Sequence, residues 1–312
     1  MKTRLLLPAL VAVATLSAAA AQSVPPRPRI TGISHIAVYT SDPAATEHYY
    51  TVDVGAVKLS DPENPQGVRY ALSETQYIEV LPLPANAGVV RHDHVAWVTE
   101  NAEGMRKYLA AKGVKVPAHV QHGAAGSTWF EVRDPEGNKV QFVEAPVRKL
   151  GFVLVTFAPH AIGHHIIHVG YMVHDRALED TFYRDLLGFR PYWWGGRSGK
   201  VEWVAQQCPD GHDWMEYMMT RGTSGVPADM TERELGVMDH FSIGVVSVPD
   251  AFQALVAANR LDGRHDAAPK IGLDGKYQLN LYDPDGIRTE VMNFHATEKP
   301  CCSPFTAEDP PE

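Results

Sequence analysis

An internal repeat constrains this chain more than any other feature. Four stretches open with a histidine at the head of an apolar, strand-like run: Ile33–Tyr39, Asp93–Val98, Ile167–Val173 and Asp239–Val246, led by His35, His94, His168 and His240. Seven positions after the histidine stand Asp42, Asn101, Asp175 and, in the fourth copy, Ser247. A helix-like segment follows each run: Pro43–Val52, Ala102–Lys112, Arg176–Leu187 and Pro249–Asn259. Leu178, Phe182 and Leu186 show the helical spacing of apolar residues, and Gly55, Gly113 and Gly188 suit helix stops. β-rich pieces come next. In the second and fourth copies they include the related turns Asp134–Gly137 and Asp283–Gly286, where Pro and Gly favour a tight turn, leading into strands Lys139–Val143 and Ile287–Met292. Each copy therefore reads as one strand, one helix and several strands.

Paired in order, the copies predict an N-terminal domain at 29–147 and a C-terminal domain at 165–297, joined by a linker at 148–164 and followed by a polar, Pro-rich tail at 298–312. Residues 1–21 read as a signal peptide. Lys2 and Arg4 precede the uncharged run Leu5–Leu16, and small residues lead to a cleavage site near Ala21. That run is shorter than the roughly 20 residues a membrane-spanning helix needs. The expectation is an exported chain, periplasmic or secreted, without stable membrane insertion once mature. A formal charge of −9 and the lack of basic runs argue against nucleic acid as a partner. The three cysteines, Cys208, Cys301 and Cys302, are too few and too oddly placed for a disulfide framework. The adjacent pair reads as a feature of the tail without a catalytic role.

His-led strands in fourfold repeat, combined with the two Asp-Pro-(Asp/Glu)-Gly turns, resemble the vicinal oxygen chelate superfamily. It includes glyoxalase I, bleomycin-binding proteins and extradiol ring-cleaving dioxygenases. The resemblance covers nearly all of the chain after residue 29. It implies an α+β fold of four βαβββ units, paired into two cupped mixed sheets, with a metal site in each cup.

The residues themselves favour the C-terminal half for that site. His168 and His240 begin equivalent strands, while Glu216 and Glu290 lie in the last strands of the third and fourth copies. Alternation puts Glu216 on one face with Trp214 and Met218, and Glu290 on one face with Arg288 and Met292. A carboxylate carried into an apolar cup needs a cationic partner, and imidazole with carboxylate suits a divalent metal. Resemblance to glyoxalase I implies all four residues as ligands, whereas the dioxygenases imply His168, His240 and Glu290 alone. The metal is Zn, Ni, Mn, Co or Fe(II), with no nucleotide cofactor. In the N-terminal half His35, Glu79 and His94 match, but the fourth position is Gln141. This set reads first as a degenerate copy and second as a site of unassigned use. Glu144 falls on the opposite strand face.

A metal that chelates two neighbouring oxygens stabilises an enediolate, and a carboxylate beside it moves a proton. Glu290 is the first choice for that base and Glu216 the second. The leading expectation is a lyase, isomerase or epimerase acting on a small molecule. A second is an Fe(II) extradiol dioxygenase. The dioxygenase resemblance implies a His and a Tyr ahead of the metal Glu; Tyr282 stands there, but no His lies between His265 and Glu290. A third is a metal-free binding protein that sequesters a toxic compound. Arg288, Tyr282, Trp214 and Arg197 are the candidate substrate contacts, and a homodimer is compatible with the sequence.

Overall fold

The computed structural model describes residues 24–146, 157–261 and 264–312. The expected signal peptide and most of the expected linker lie outside them. Two eight-stranded curled sheets account for the fold. The first contains β1 (Ile30–Thr40), β2 (Val57–Ser60), β3 (Val68–Ala71), β4 (Tyr77–Pro82), β5 (His92–Thr99), β6 (Gln121–His122), β7 (Thr128–Arg133) and β8 (Lys139–Glu144). The second contains β9 (His165–Val173), β10 (Arg190–Gly195), β11 (Trp203–Gln207), β12 (Trp214–Met219), β13 (His240–Val245), β14 (Lys270–Ile271), β15 (Tyr277–Tyr282) and β16 (Arg288–Asn293). The strand orders, β2-β3-β4-β1-β5-β8-β7-β6 and β10-β11-β12-β9-β13-β16-β15-β14, are the same pattern written twice. In each sheet the two His-led strands run antiparallel at the centre, and each is flanked by a parallel strand from its own copy. The expected α+β fold of four βαβββ units is what the structure shows.

The helices are α1 (Pro43–His48), α2 (Ala102–Ala111), α3 (Arg176–Asp180), α4 (Glu232–Met238) and α5 (Val248–Ala257). The residue seven places after each histidine caps a helix. Side chains of Asp42, Asn101, Asp175 and Ser247 accept backbone N–H bonds from the first turns of α1, α2, α3 and α5. In the first and third copies the helix then widens into a π-helical turn, Tyr49–Asp53 and Thr181–Leu186. Helix α4 has no counterpart in the repeat. Thr231 and Glu234 form a reciprocal capping box at its start.

Strand alternation divides each sheet between two tasks. One face sends Ile36, Val38, Ile78, Val95, Trp97 and Phe142, together with Val169, Tyr171, Met215, Phe241, Ile243 and Val291, into a single core shared by both domains. The other face carries the histidines and their partners. The Asp-Pro-(Asp/Glu)-Gly turns fasten the domains reciprocally. Glu136 of the first turn accepts the backbone N–H groups of His174 and Asp175 at 2.6–3.0 Å. Asp285 of the second accepts the Ser41 N–H at 3.0 Å and the Arg91 Nε at 3.2 Å. Tyr50 donates to Asp283 at 3.1 Å, and Tyr183 to Asp134 at 3.3 Å.

The 298–312 segment packs along the second sheet. Phe305 meets Tyr192, and Asp309 pairs at 2.7 Å with the Nζ of the fully buried Lys276. Cys301 and Cys302 are joined as a vicinal disulfide in this segment, and Cys208 is free and buried. Among the described residues no helix is long and apolar enough to cross a membrane.

Candidate metal centre

Backbone register brings the C-terminal residues together. On β9, Gly170 lies opposite Glu216 of β12 on one side and His240 of β13 on the other. On β13, Ser242 lies between His168 of β9 and Glu290 of β16. Two small residues thus form a floor, and the four larger side chains flank it. A Cβ on Gly170 would fall 2.2 Å from the His240 ring, so only glycine leaves the imidazole its place.

The Nε2 atoms of His168 and His240 are 3.1 Å apart, and the Oε2 of Glu290 stands 3.1 Å from the first and 4.0 Å from the second. These three residues form a cluster whose donor atoms all lie within 4.8 Å of one another. Glu216 is not part of that cluster. Its Oε2 lies 3.5 Å from His240 Nε2, at the edge of the group. Trp214 stacks on His168 with centroids 4.7 Å apart, and the Nδ1 of His240 bonds the Met238 carbonyl at 2.9 Å.

The cluster fits a divalent metal. Two imidazole nitrogens bound at about 2.1 Å to one ion stand roughly 3–3.4 Å apart when their bonds enclose 90–109°, which spans the separation seen here. The electrostatics agree. Burial lowers the pKa of both histidines, with the charges of Arg288 and His168 adding to the effect at His240, so the rings offer lone pairs. Burial pushes Glu290 up, but the charges of Arg288, His168 and His240 and the His168 contact hold it down to about 2. Glu216 goes the other way. Burial, followed by the negative charge of Glu290, raises it to about 8.

A cavity of about 290 Å³ opens onto the cluster, lined by Glu216, Arg288, Asn280, Trp193, Trp203 and Arg197 among others. Arg288 and Arg197, two of the expected substrate contacts, line it. Trp214 and Tyr282 do not line this cavity. Trp214 is buried behind His168, and Tyr282 is buried beneath the guanidinium of Arg233, 3.1 Å from its ring centroid. Trp193 and Trp203 are the aromatic walls instead. Of the four expected ligands the structure converges three and leaves Glu216 beside them.

The N-terminal sheet repeats the arrangement. Ala37 lies between Glu79 and His94, and Ala96 between His35 and Gln141. His35, Glu79 and His94 form a second cluster within 4.8 Å, with an Nε2–Nε2 separation of 3.2 Å. Glu144 accepts the Ala102 N–H at 3.0 Å, on the helix side, as strand parity predicts.

The floor residues were not singled out from the sequence, although a signal was present. A small residue follows each histidine by two places: Ala37, Ala96, Gly170 and Ser242.

Two domains built on one pattern, each with two histidines and a carboxylate at the centre of a curled sheet, define the class of protein. A family model, Glyoxalase/Bleomycin resistance protein/Dioxygenase superfamily, matches residues 32–142 and 159–291. The chain belongs to this superfamily. Similar solved structures include an extradiol ring-cleaving dioxygenase from B. fuscum (TM-score 0.64, 18% identity, 86% of this chain and 73% of that one). The 2,3-dioxygenase LapB from Pseudomonas sp. KL28 is also similar (0.65, 14%, 89% and 97%). So is the Mn(II)-bound glyoxalase from Novosphingobium aromaticivorans (0.62, 17%, 85% and 83%). At these identities the likeness is one of fold. No curated protein matches the chain in sequence.

Proposed function

We propose that the C-terminal site is a metal-dependent lyase, isomerase or epimerase centre for a small substrate that chelates through two neighbouring oxygens. His168, His240 and Glu290 would hold the ion, which when bound polarises the substrate oxygens. The observation that carries the reading is the split between the two glutamates. Glu290 lies inside the cluster, whereas Glu216 stands at its edge, 3.5 Å from His240 Nε2, and lines the cavity. A carboxyl beside the ion but outside its ligand set is placed to move a proton at a bound substrate. Glu216 therefore takes the role for which Glu290 was the first choice in the sequence. Arg288 extends along the same strand face, with its Nε buried and unpartnered, and offers a seat for an anionic group on the substrate. The buried Trp193 and half-buried Trp203 flank that seat.

A dioxygenase is the second reading. What favours it is that the convergent set is two histidines and one glutamate, the set implied by that resemblance. What weighs against it is the position of Tyr282, outside the cavity.

The test is a screen of small hydroxy- and oxo-compounds with the chelator-stripped chain reloaded with Mn(II), Co(II), Ni(II), Zn(II) or, anaerobically, Fe(II). Uptake of solvent deuterium at a carbon next to the chelating oxygens is expected. Glu216→Gln should slow it about 10²–10⁴-fold while C-terminal metal content is retained. Oxygen consumption matched to loss of a catechol would overturn this reading in favour of the second. Export of the chain belongs to the same proposal, and amino-terminal sequencing of secreted material checks cleavage near Ala21.

A further inference from the structure

We infer that the N-terminal domain holds a second divalent metal, ligated by His35, Glu79, His94 and the amide oxygen of Gln141. Read as sequence, Gln141 made this half the degenerate one. The geometry points elsewhere. The Nε2 atoms of His35 and His94 are 3.2 Å apart, and Glu79 Oε2 lies 3.7 Å from each. The carboxylate is thus equidistant from the two imidazoles, a more even arrangement than the C-terminal one.

A second observation is independent of these three side chains. Gln141 is 6% exposed, and its Oε1 is buried without a hydrogen-bond partner. It occupies the register position of Glu290: Ala96 lies opposite both His35 and Gln141, as Ser242 lies opposite both His168 and Glu290. A buried carbonyl oxygen left unpaired is destabilising, and this one lines the same cavity as the other three side chains. An ion at the cluster would remove that penalty, because an amide oxygen is a competent donor to a hard or borderline divalent cation.

The groups behind the ligands support the same assignment. Metal-bound histidines characteristically have their second ring nitrogen fixed by a carboxylate or other acceptor. His94 Nδ1 lies 2.6 Å from Asp93 Oδ2, and Ser34 Oγ lies 3.1 Å from His35 Nδ1. Asp93 is itself held by Lys139 at 2.7 Å and by the Tyr39 hydroxyl. At the C-terminal site the Nδ1 of His168 has no such partner.

The cavity above the cluster, about 220 Å³, is lined by Glu63, Glu79, Asp93 and Glu131 against a single cation, Lys139. Such a wall attracts cations and repels anions. The C-terminal cavity differs in carrying Arg197, Lys270 and Arg288 in its lining.

Titration of the chelator-stripped full chain with Co(II), followed by visible absorption and elemental analysis, tests the proposal. Two ions per chain are expected. His94→Ala should leave one and His240→Ala should leave the other, with distinguishable spectra, so the two sites stand or fall separately. If His94→Ala does not fold, as judged by circular dichroism, His35→Gln gives the same stoichiometric readout. Gln141→Leu should weaken the N-terminal ion roughly 10–100-fold and leave the C-terminal one untouched. One ion per wild-type chain, lost with His240→Ala and kept with His94→Ala, would overturn the proposal. A Gln141→Leu titration superimposed on that of the wild type would remove Gln141 from the ligand set.

Discussion

The two domains place the same strand positions in the same register and differ mainly in what fills them. The C-terminal centre has Gly170 and Ser242 as its floor and Glu290 as its fourth corner, with Glu216 displaced to the edge. The N-terminal centre has Ala37, Ala96 and Gln141 at the corresponding places, and there it is the carboxylate on the other flanking strand, Glu79, that joins the two histidines. The same scaffold therefore chooses a different carboxylate in each half. Only the C-terminal half has a carboxylate at both flanking positions, and its cavity carries Arg197, Lys270 and Arg288. The comparison separates what holds an ion from what uses it.

The largest expected effect comes from erasing that difference. Glu290→Gln gives the C-terminal centre the donor set of the N-terminal one. Activity should fall about 10²–10⁴-fold, because the charge held between two imidazoles is lost. Steady-state rates with a substrate from the screen measure this, and a variant within tenfold of wild type would show that the fourth corner does not separate the domains.

A smaller effect follows from the floor. Gly170→Ala supplies the methyl group that Ala37 carries in the other half, but here it meets the His240 ring. C-terminal Co(II) affinity should drop about 10–100-fold, with N-terminal binding unchanged. Equal loss at both sites would mean that the substitution disturbs the shared core rather than His240.

The smallest effect lies between the domains. Glu179 is fully buried, and its Oε1 accepts the Glu136 N–H at 3.0 Å. Burial, followed by the charge of Asp134, raises its pKa to about 9. A carboxyl raised on folding keeps its proton in the folded state while the unfolded chain has lost it. Its contribution is therefore complete below the ordinary glutamate pKa and is lost as pH rises toward 9. Glu179→Gln should melt a few degrees above wild type at pH 8 and level with it at pH 4. Equal gaps at both pH values, read by thermal denaturation, would remove ionisation as the cause.

Much of this was legible in the residues. The histidine spacing and the paired turns carried the fold, the strand pairing and the central residues of both sites. The sequence put Glu290 ahead of Glu216 as the base, but Glu216 and Glu290 have equivalent strand positions, which gives that order no physical footing. What separates them is three-dimensional: Glu290 reaches both imidazoles, at 3.1 and 4.0 Å, and has Arg288 beside it, whereas Glu216 reaches His240 at 3.5 Å and stays outside the cluster. Trp214 was misplaced for a related reason. Parity put it on the correct face, but whether a ring on that face lines the cavity or backs a ligand depends on the strand beside it. Helix α4 was overlooked because the repeat does not contain it, though Thr231 and Glu234 carried its capping box. The segment after residue 297 reads only as a polar, Pro-rich tail, and nothing in its composition shows that it packs on the second sheet. Its anchors, Phe305 and Asp309, are single residues whose partners lie far back in the chain.

The reciprocal turns have a consequence for how a molecule of this design can be taken apart. Each domain offers the other a turn carboxylate and accepts one in return, so the contact is isologous, as in a two-fold dimer. Halves produced as separate chains should find each other and restore both centres. By the same reasoning, two copies of either half would present matching docks to one another.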